Sequence, residues 1–180
     1  MNLPNKLTVL RVIMIPFFIF FLMYKEGEDA GFRVAALTIF IIAALTDTLD
    51  GIIARKYNLI TNFGKFMDPL ADKLLVCSAL ICLIQLKRID AIIVTVIISR
   101  EFIISGFRLV ASDSGIVIAA GIWGKIKTVS QMLCICLLIM DIDTLSNFTN
   151  IMIYVMLALT IISLINLLKF CLKMILFFHL

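Results

Sequence analysis

The chain has 180 residues, 63% of them hydrophobic, with a mean hydropathy of +1.15. A soluble domain of this length needs a polar exterior and has no room to bury so much apolar surface, so the composition excludes one and predicts a polytopic helical membrane protein. The net charge of +4 suits anionic lipid but is too small and scattered for nucleic acid, and the single His179 excludes phosphohistidine chemistry, histidine acid–base pairs and multi-histidine metal sites.

Apolar runs follow in chain order at roughly 7–24, 33–54, 66–86, 91–111, 116–140 and 148–170. They predict an all-α chain, a single domain over residues 1–180 with about six transmembrane helices joined by short loops. The first run is read as a retained span rather than a signal peptide. It has no small-residue cleavage site and leads into Tyr24-Lys25-Glu26. Pro4 and Pro16 are expected to divide it into a short interfacial piece and a spanning piece. Positive charge gathers at alternate ends: Lys6 and Arg11, then Arg55, Lys56 and Lys65, then Arg108, Lys125 and Lys127, then Lys169 and Lys173. The intervening loops are mixed ("KEGEDAGFR"), weakly basic ("KRID") or acidic ("DIDTLSN"), so both termini are expected in the cytosol. Cys77, Cys82, Cys134, Cys136 and Cys171 lie in apolar runs and form no Cys-x-x-Cys pair, so they read as small buried hydrophobes.

The second and third runs meet at "DTLDGIIARKYNLITNFGKFMDPLAD", residues 47–72. At about 100° per residue, Asp47, Asp50 and Ala54 share a helix face with Gly51 beside it, and Asp68 and Asp72 share another. Gly51 and Ala54 remove bulk next to the acids, so a ligand or a helix can come close. Asp68-Pro69 is either a helix cap followed by the first helical residue or a kink within a longer helix. An Asp at the centre of a membrane helix costs roughly 2.5–3.5 kcal/mol, less near an interface, and clustered carboxylates also repel. Two divalent cations would balance four such charges, and oxygen-only ligation points to Mg²⁺ or Mn²⁺, with Ca²⁺ able to occupy such a site. Two such ions form a clamp for attacking and leaving oxygens at phosphorus, and Arg55 suits a pyrophosphate. One intramembrane Asp paired with Arg is often only helix glue. Four at spacings of 3, 18 and 4, with Gly, Ala and Arg interposed, are hard to explain that way.

The run reads D-x2-D-G-x2-A-R-x8-G-x3-D-x3-D without departure, through Asp47, Asp50, Gly51, Ala54, Arg55, Gly64, Asp68 and Asp72. It resembles the signature of the CDP-alcohol phosphotransferases, integral membrane enzymes of phospholipid synthesis. The resemblance implies that Asp47, Asp50 and Asp68 ligate a binuclear metal site. It implies that Asp72 is the base and also contacts metal, and that Asp47, Gly51, Ala54 and Arg55 border the CDP-lipid. A homodimer is implied in the same way. "NLPNKLTVLRVIMIPFF", "GKFMDPLADKLLV", "ISREFIISGFRLVA" and "GKIKT" are similar to the branch of the family that uses glycerol 3-phosphate. "SLINLLKF" departs most, with Asn166 where an acidic residue often stands.

That branch implies CDP-diacylglycerol and glycerol 3-phosphate as substrates, at the cytosolic face of the cell membrane. Sister enzymes take inositol phosphate, serine or phosphatidylglycerol instead. A divalent-cation transporter is the reading from another class, against which Arg55 stands, since a cation beside the path repels cations. An anionic acceptor needs cations beyond Arg55, and Arg100, Arg108 and Lys125 are the candidates for its phosphate. Their competing roles are an ion pair of Arg100 with Glu101, and topology or lipid contact for Arg108, Lys125 and Lys127. Asn5, Thr8 and Arg11 either help hold the nucleotide headgroup or anchor the first span.

Overall fold

The computed structural model describes the backbone of residues 3–56, 62–113 and 121–178, and the side chains of residues 7–46, 70–71, 73–111, 121–166 and 168–169. Among the described residues the chain is helical, with no strand: α1 Leu3–Met23, α2 Ala30–Lys56, α3 Asn62–Gln85, α4 Ala91–Asp113, α5 Ile122–Met140 and α6 Ser146–Phe178. Each helix falls on one of the apolar runs. Two details differ from expectation. Pro16 does not divide α1, which continues from Leu3 to Met23 with the proline inside it. Ile15 and Phe18, on either side, are buried, and that packing holds the helix through the missing hydrogen bond, as neighbouring helices do in membranes. α6 runs on to Phe178, past the apolar run that ends near 170, while α5 starts at Ile122 after an extended Gly121 and residues 116–120 of the fifth run lie outside the described residues.

The chain forms two compact units, Met1–Ile89 with Leu138–Met140, and Asp90–Leu137 with Asp141–Leu180. In the first, α1 packs on α2 and α3. Ile15, Phe18 and Leu22 follow helical spacing on α1 and meet a stripe of Ala36, Phe40 and Ala43 on α2. The alanines let the helices approach, and the Phe18 and Phe40 rings sit 5.7 Å apart. On α3 the buried stripe is Ala71, Leu75, Ala79, Leu80 and Leu83.

Arg88 ties three segments of this unit. It donates through Nη1 to the carbonyls of Leu138 and Ile139 at 3.2 Å each, and through Nη2 to Gly27 at 2.8 Å. Leu138 and Ile139 lie in the last turn of α5, where carbonyls have no helical partner and a cation meets the negative end of the dipole. Gly27, with φ of 73°, is in the left-handed region. A Cβ there would lie 3.0 Å from Leu86 Cδ1 and 3.3 Å from Arg88 Nη2, so the turn requires glycine.

In the second unit α4 packs on α6. Val94, Ile97, Ile104, Ile135, Ile153 and Met156 are buried there. Large apolar side chains meanwhile face outward along the helices: Phe17 and Phe20 on α1, Leu109 and Val110 on α4, Leu133 on α5, Ile151 and Tyr154 on α6. Buried instead are Arg11, Arg100 and Lys127, at 1%, 6% and 0% exposure. Water would charge about 1.5–3 kcal/mol for each large side chain left outside, a cost that lipid removes. Leu7–Gly27, Ile122–Met140 and Asp143–Asn166 are apolar and long enough to cross a bilayer, and the apolar parts of α2 and α3, Ala30–Thr46 and Lys73–Gln85, are shorter. The protein is built for a membrane.

Candidate active site

The candidate metal ligands lie in the first unit, on α2 and α3. Asp47, Asp50, Gly51, Ala54 and Arg55 fall in the C-terminal turns of α2, and Gly64, Asp68 and Asp72 in the N-terminal half of α3. Their side chains lie outside the described residues. The backbone still fixes their register. Since α2 is helical through Lys56, Asp47, Asp50 and Ala54 share one face, and Asp68 and Asp72 share one on α3. Because α3 begins at Asn62, Asp68 is not a cap, and Pro69 lies inside the helix. Among the described residues no cluster of His, Cys, Asp or Glu forms a metal site. The aspartates of α2 and α3 are the candidates, since carboxylates are the hard oxygen ligands that Mg²⁺ and Mn²⁺ take.

One buried cation fixes the approach to this end of α2. Arg11 donates through Nε to the carbonyl of Ala43 at 3.2 Å, one turn before Asp47. Thr8, a turn earlier on α1, is buried too. Arg11 therefore ties α1 to α2 rather than only anchoring the first span at an interface. The side chain of Asn5 lies outside the described residues.

The candidate acceptor residues belong to the second unit. Arg100, on α4, donates through Nη1 to Glu101 Oε1 at 3.1 Å and through Nη2 to Ser163 Oγ on α6. Lys127, on α5, donates to Glu101 Oε1 and to Gln131 Oε1. The ion pair of Arg100 with Glu101 is the one that the sequence offered as its competing role. Arg108 and Lys125 are exposed, one on α4 and one in the first turn of α5. The four residues Arg100, Glu101, Lys127 and Gln131 thus form one bonded chain across two helices, pinned to a third by Ser163. Arg100 Nε, Gln131 Nε2 and Ser130 Oγ are buried without a hydrogen-bond partner among the described residues.

Sequence reasoning passed over Lys127, treating it as a topology charge. Its burial had a signal: Lys127, Gln131, Cys134 and Leu138 follow helical spacing on one face of α5 and are all buried. Arg88 and its carbonyl partners had none, since no sequence feature marks a backbone oxygen as an acceptor.

A family model described as CDP-alcohol phosphatidyltransferase matches residues 1–162. A Bacillus subtilis protein named CDP-diacylglycerol–glycerol-3-phosphate 3-phosphatidyltransferase is 49% identical over 148 residues, 77% of each chain. A Rickettsia felis protein of the same name is 37% identical over 177 residues, 96% of each chain. A Mycobacterium tuberculosis protein named probable phosphatidylglycerophosphate synthase is 40% identical over 143 residues, 79% of this chain and 68% of that one.

Proposed function

This chain belongs to the CDP-alcohol phosphatidyltransferase family, and we propose that it transfers the phosphatidyl group of CDP-diacylglycerol to the 1-hydroxyl of glycerol 3-phosphate, giving phosphatidylglycerol phosphate and CMP. The observation that carries this reading is the similarity over 96% of both chains to a relative named for that reaction. The helical register of the aspartates on α2 and α3 supports it.

In this reading Asp47, Asp50 and Asp68 would hold two divalent ions, Mg²⁺ or Mn²⁺, with Asp72 as a further ligand. Such ions, when bound, neutralise the carboxylates and stabilise charge on the phosphoryl oxygens. Gly51 and Ala54 leave space for the CDP moiety to approach α2, and Arg55 pairs with its pyrophosphate. Asp72 accepts the proton of the glycerol 3-phosphate 1-hydroxyl. The freed oxygen bonds to the lipid-side phosphorus while the bond from that phosphorus to the bridging oxygen breaks. The electron pair leaves with CMP. Arg100, Arg108 and Lys125 bind the acceptor's phosphate.

The protein places about six spans in the cell membrane, with both termini and the site in the cytosol and a homodimer as the working form. The test is CMP release by purified protein with CDP-diacylglycerol and Mg²⁺, comparing glycerol 3-phosphate with inositol phosphate, serine and phosphatidylglycerol. Release with glycerol 3-phosphate alone supports the reading. Release with another acceptor keeps the reaction class and moves the chain to a sister activity. Metal uptake into vesicles without CMP release replaces the enzyme with a carrier.

A further inference from the structure

The stripes by which α1 and α2 pack do not stop where their apolar residues do. On α1, Ile15, Phe18 and Leu22 are buried, and the same helical spacing continues backward to Arg11 and Thr8, each 1% exposed. On α2 the buried Ala36, Phe40 and Ala43 continue forward at that spacing to Asp47, Asp50 and Ala54. The face of α2 that meets α1 is therefore, one turn further on, the face that carries two of the candidate metal ligands. Arg11 stands at the change. Its Nε donates to the carbonyl of Ala43 at 3.2 Å. Within α2 that carbonyl is also the helical acceptor for the N–H of Asp47, four residues on. A leucine at position 11 would extend the apolar stripe without the cost of a buried guanidinium, so packing alone does not account for an arginine there.

Resting on the reading that Asp47 and Asp50 hold metal, we propose that Arg11 is a positioning residue for them. The apolar contacts of Ile15, Phe18, Phe40 and Ala43 are non-directional and set the rotation of α2 loosely. A hydrogen bond to one particular carbonyl is directional. It fixes the rotation and the height of the turn that Asp47 closes, and with it the shared face of Asp47 and Asp50. Mg²⁺ demands near-ideal octahedral geometry at about 2.0–2.1 Å, so a small rotation of α2 is felt first as lost metal affinity. Arg11 acts through the backbone of α2 and does not touch the substrate.

Mn²⁺ binding, read by electron paramagnetic resonance on purified protein without substrates, tests this in the wild type and in Arg11→Met, Arg11→Lys and Phe18→Leu. Arg11→Met removes the donor at similar length and is expected to weaken Mn²⁺ binding about tenfold. Arg11→Lys keeps a charged donor for the carbonyl and recovers most of that loss. Phe18→Leu loosens the same helix pair through packing alone, so it lowers Tm and leaves Mn²⁺ affinity within about twofold. Equal weakening in Phe18→Leu and Arg11→Met shows that Arg11 contributes only general stability, and overturns the proposal. Unchanged Mn²⁺ affinity in Arg11→Met also overturns it, and a raised KM for CDP-diacylglycerol in that case makes Arg11 a substrate contact instead. Should Arg11→Met not fold, Arg11→Gln keeps a shorter, neutral donor and is expected to weaken Mn²⁺ binding about threefold or more. Unchanged affinity there overturns the proposal in the same way. Absence of Mn²⁺ binding by the wild type is a different failure, that of the metal reading itself.

Discussion

In the first unit four carboxylates stand in helical register at the end of α2 and the start of α3, and the buried cation Arg11 is bound to a backbone carbonyl of α2. In the second the buried charges are mostly cations, with Arg100 and Lys127 sharing Glu101 between α4 and α5. The two sets differ in kind: clustered carboxylates call for metal cations, and buried cations call for carboxylates or another anion. A helical membrane protein that must hold both a metal-bound pyrophosphate and a phosphorylated alcohol has reason to keep these demands on separate helices, because mixed together they would satisfy each other and bind nothing.

The largest effect is expected at Asp72, the proposed base. Asp72→Asn is expected to lower kcat by about 10²–10⁴-fold while sparing much of the CDP-lipid affinity, measured as CMP release and lipid binding on the same preparation. Unaltered turnover removes Asp72 from the base role. Chelation by EDTA is expected to stop turnover of the wild type, with Mg²⁺ or Mn²⁺ restoring it. Metal dependence should survive in variants of the second unit.

Next in size is a variant distant from either charge cluster in role. Arg88→Ala removes hydrogen bonds to Gly27, Leu138 and Ile139 and is expected to cost about 2–4 kcal/mol of stability, read as a lower Tm in detergent. Its kcat per folded molecule should match wild type; a collapse of kcat at unchanged Tm would give Arg88 a part in the chemistry. Lys127→Met removes the ion pair with Glu101 and the hydrogen bond to Gln131 Oε1. A loss of about 1–3 kcal/mol is expected, and an increase in Tm would mean the buried lysine is maintained for binding at a cost in stability. Gly27→Ala, at φ of 73° and against Leu86, is the smallest, at about 1–2 kcal/mol.

The sequence made much of this legible where periodicity or register carries the signal. Apolar runs placed α1 to α4 to within four residues, because a span must be apolar over a fixed length, while α5 starts later and α6 ends later than its run. The signature gave the positions of the aspartates, and the helices α2 and α3 put them on shared faces as expected. What failed was local reasoning without packing. Pro16 looked like a break, yet buried Ile15 and Phe18 carry α1 across it. Lys127 looked like a topology charge because it stands in the first turns of α5, although it shares a face with Gln131, Cys134 and Leu138, all of them buried, and its partner Glu101 lies on another helix. Arg11 and Arg88 act on backbone carbonyls of Ala43, Gly27, Leu138 and Ile139, partners that any residue type would supply.

The division of labour between the two clusters is tested most directly by measuring both substrate KM values side by side for Arg55→Lys and Arg100→Lys, each keeping its charge while losing the planar fork. The account predicts that Arg55→Lys raises the KM for CDP-diacylglycerol and leaves that for glycerol 3-phosphate near wild type, and that Arg100→Lys does the reverse. If both variants raise the same KM, the clusters are not divided by substrate and the account is wrong.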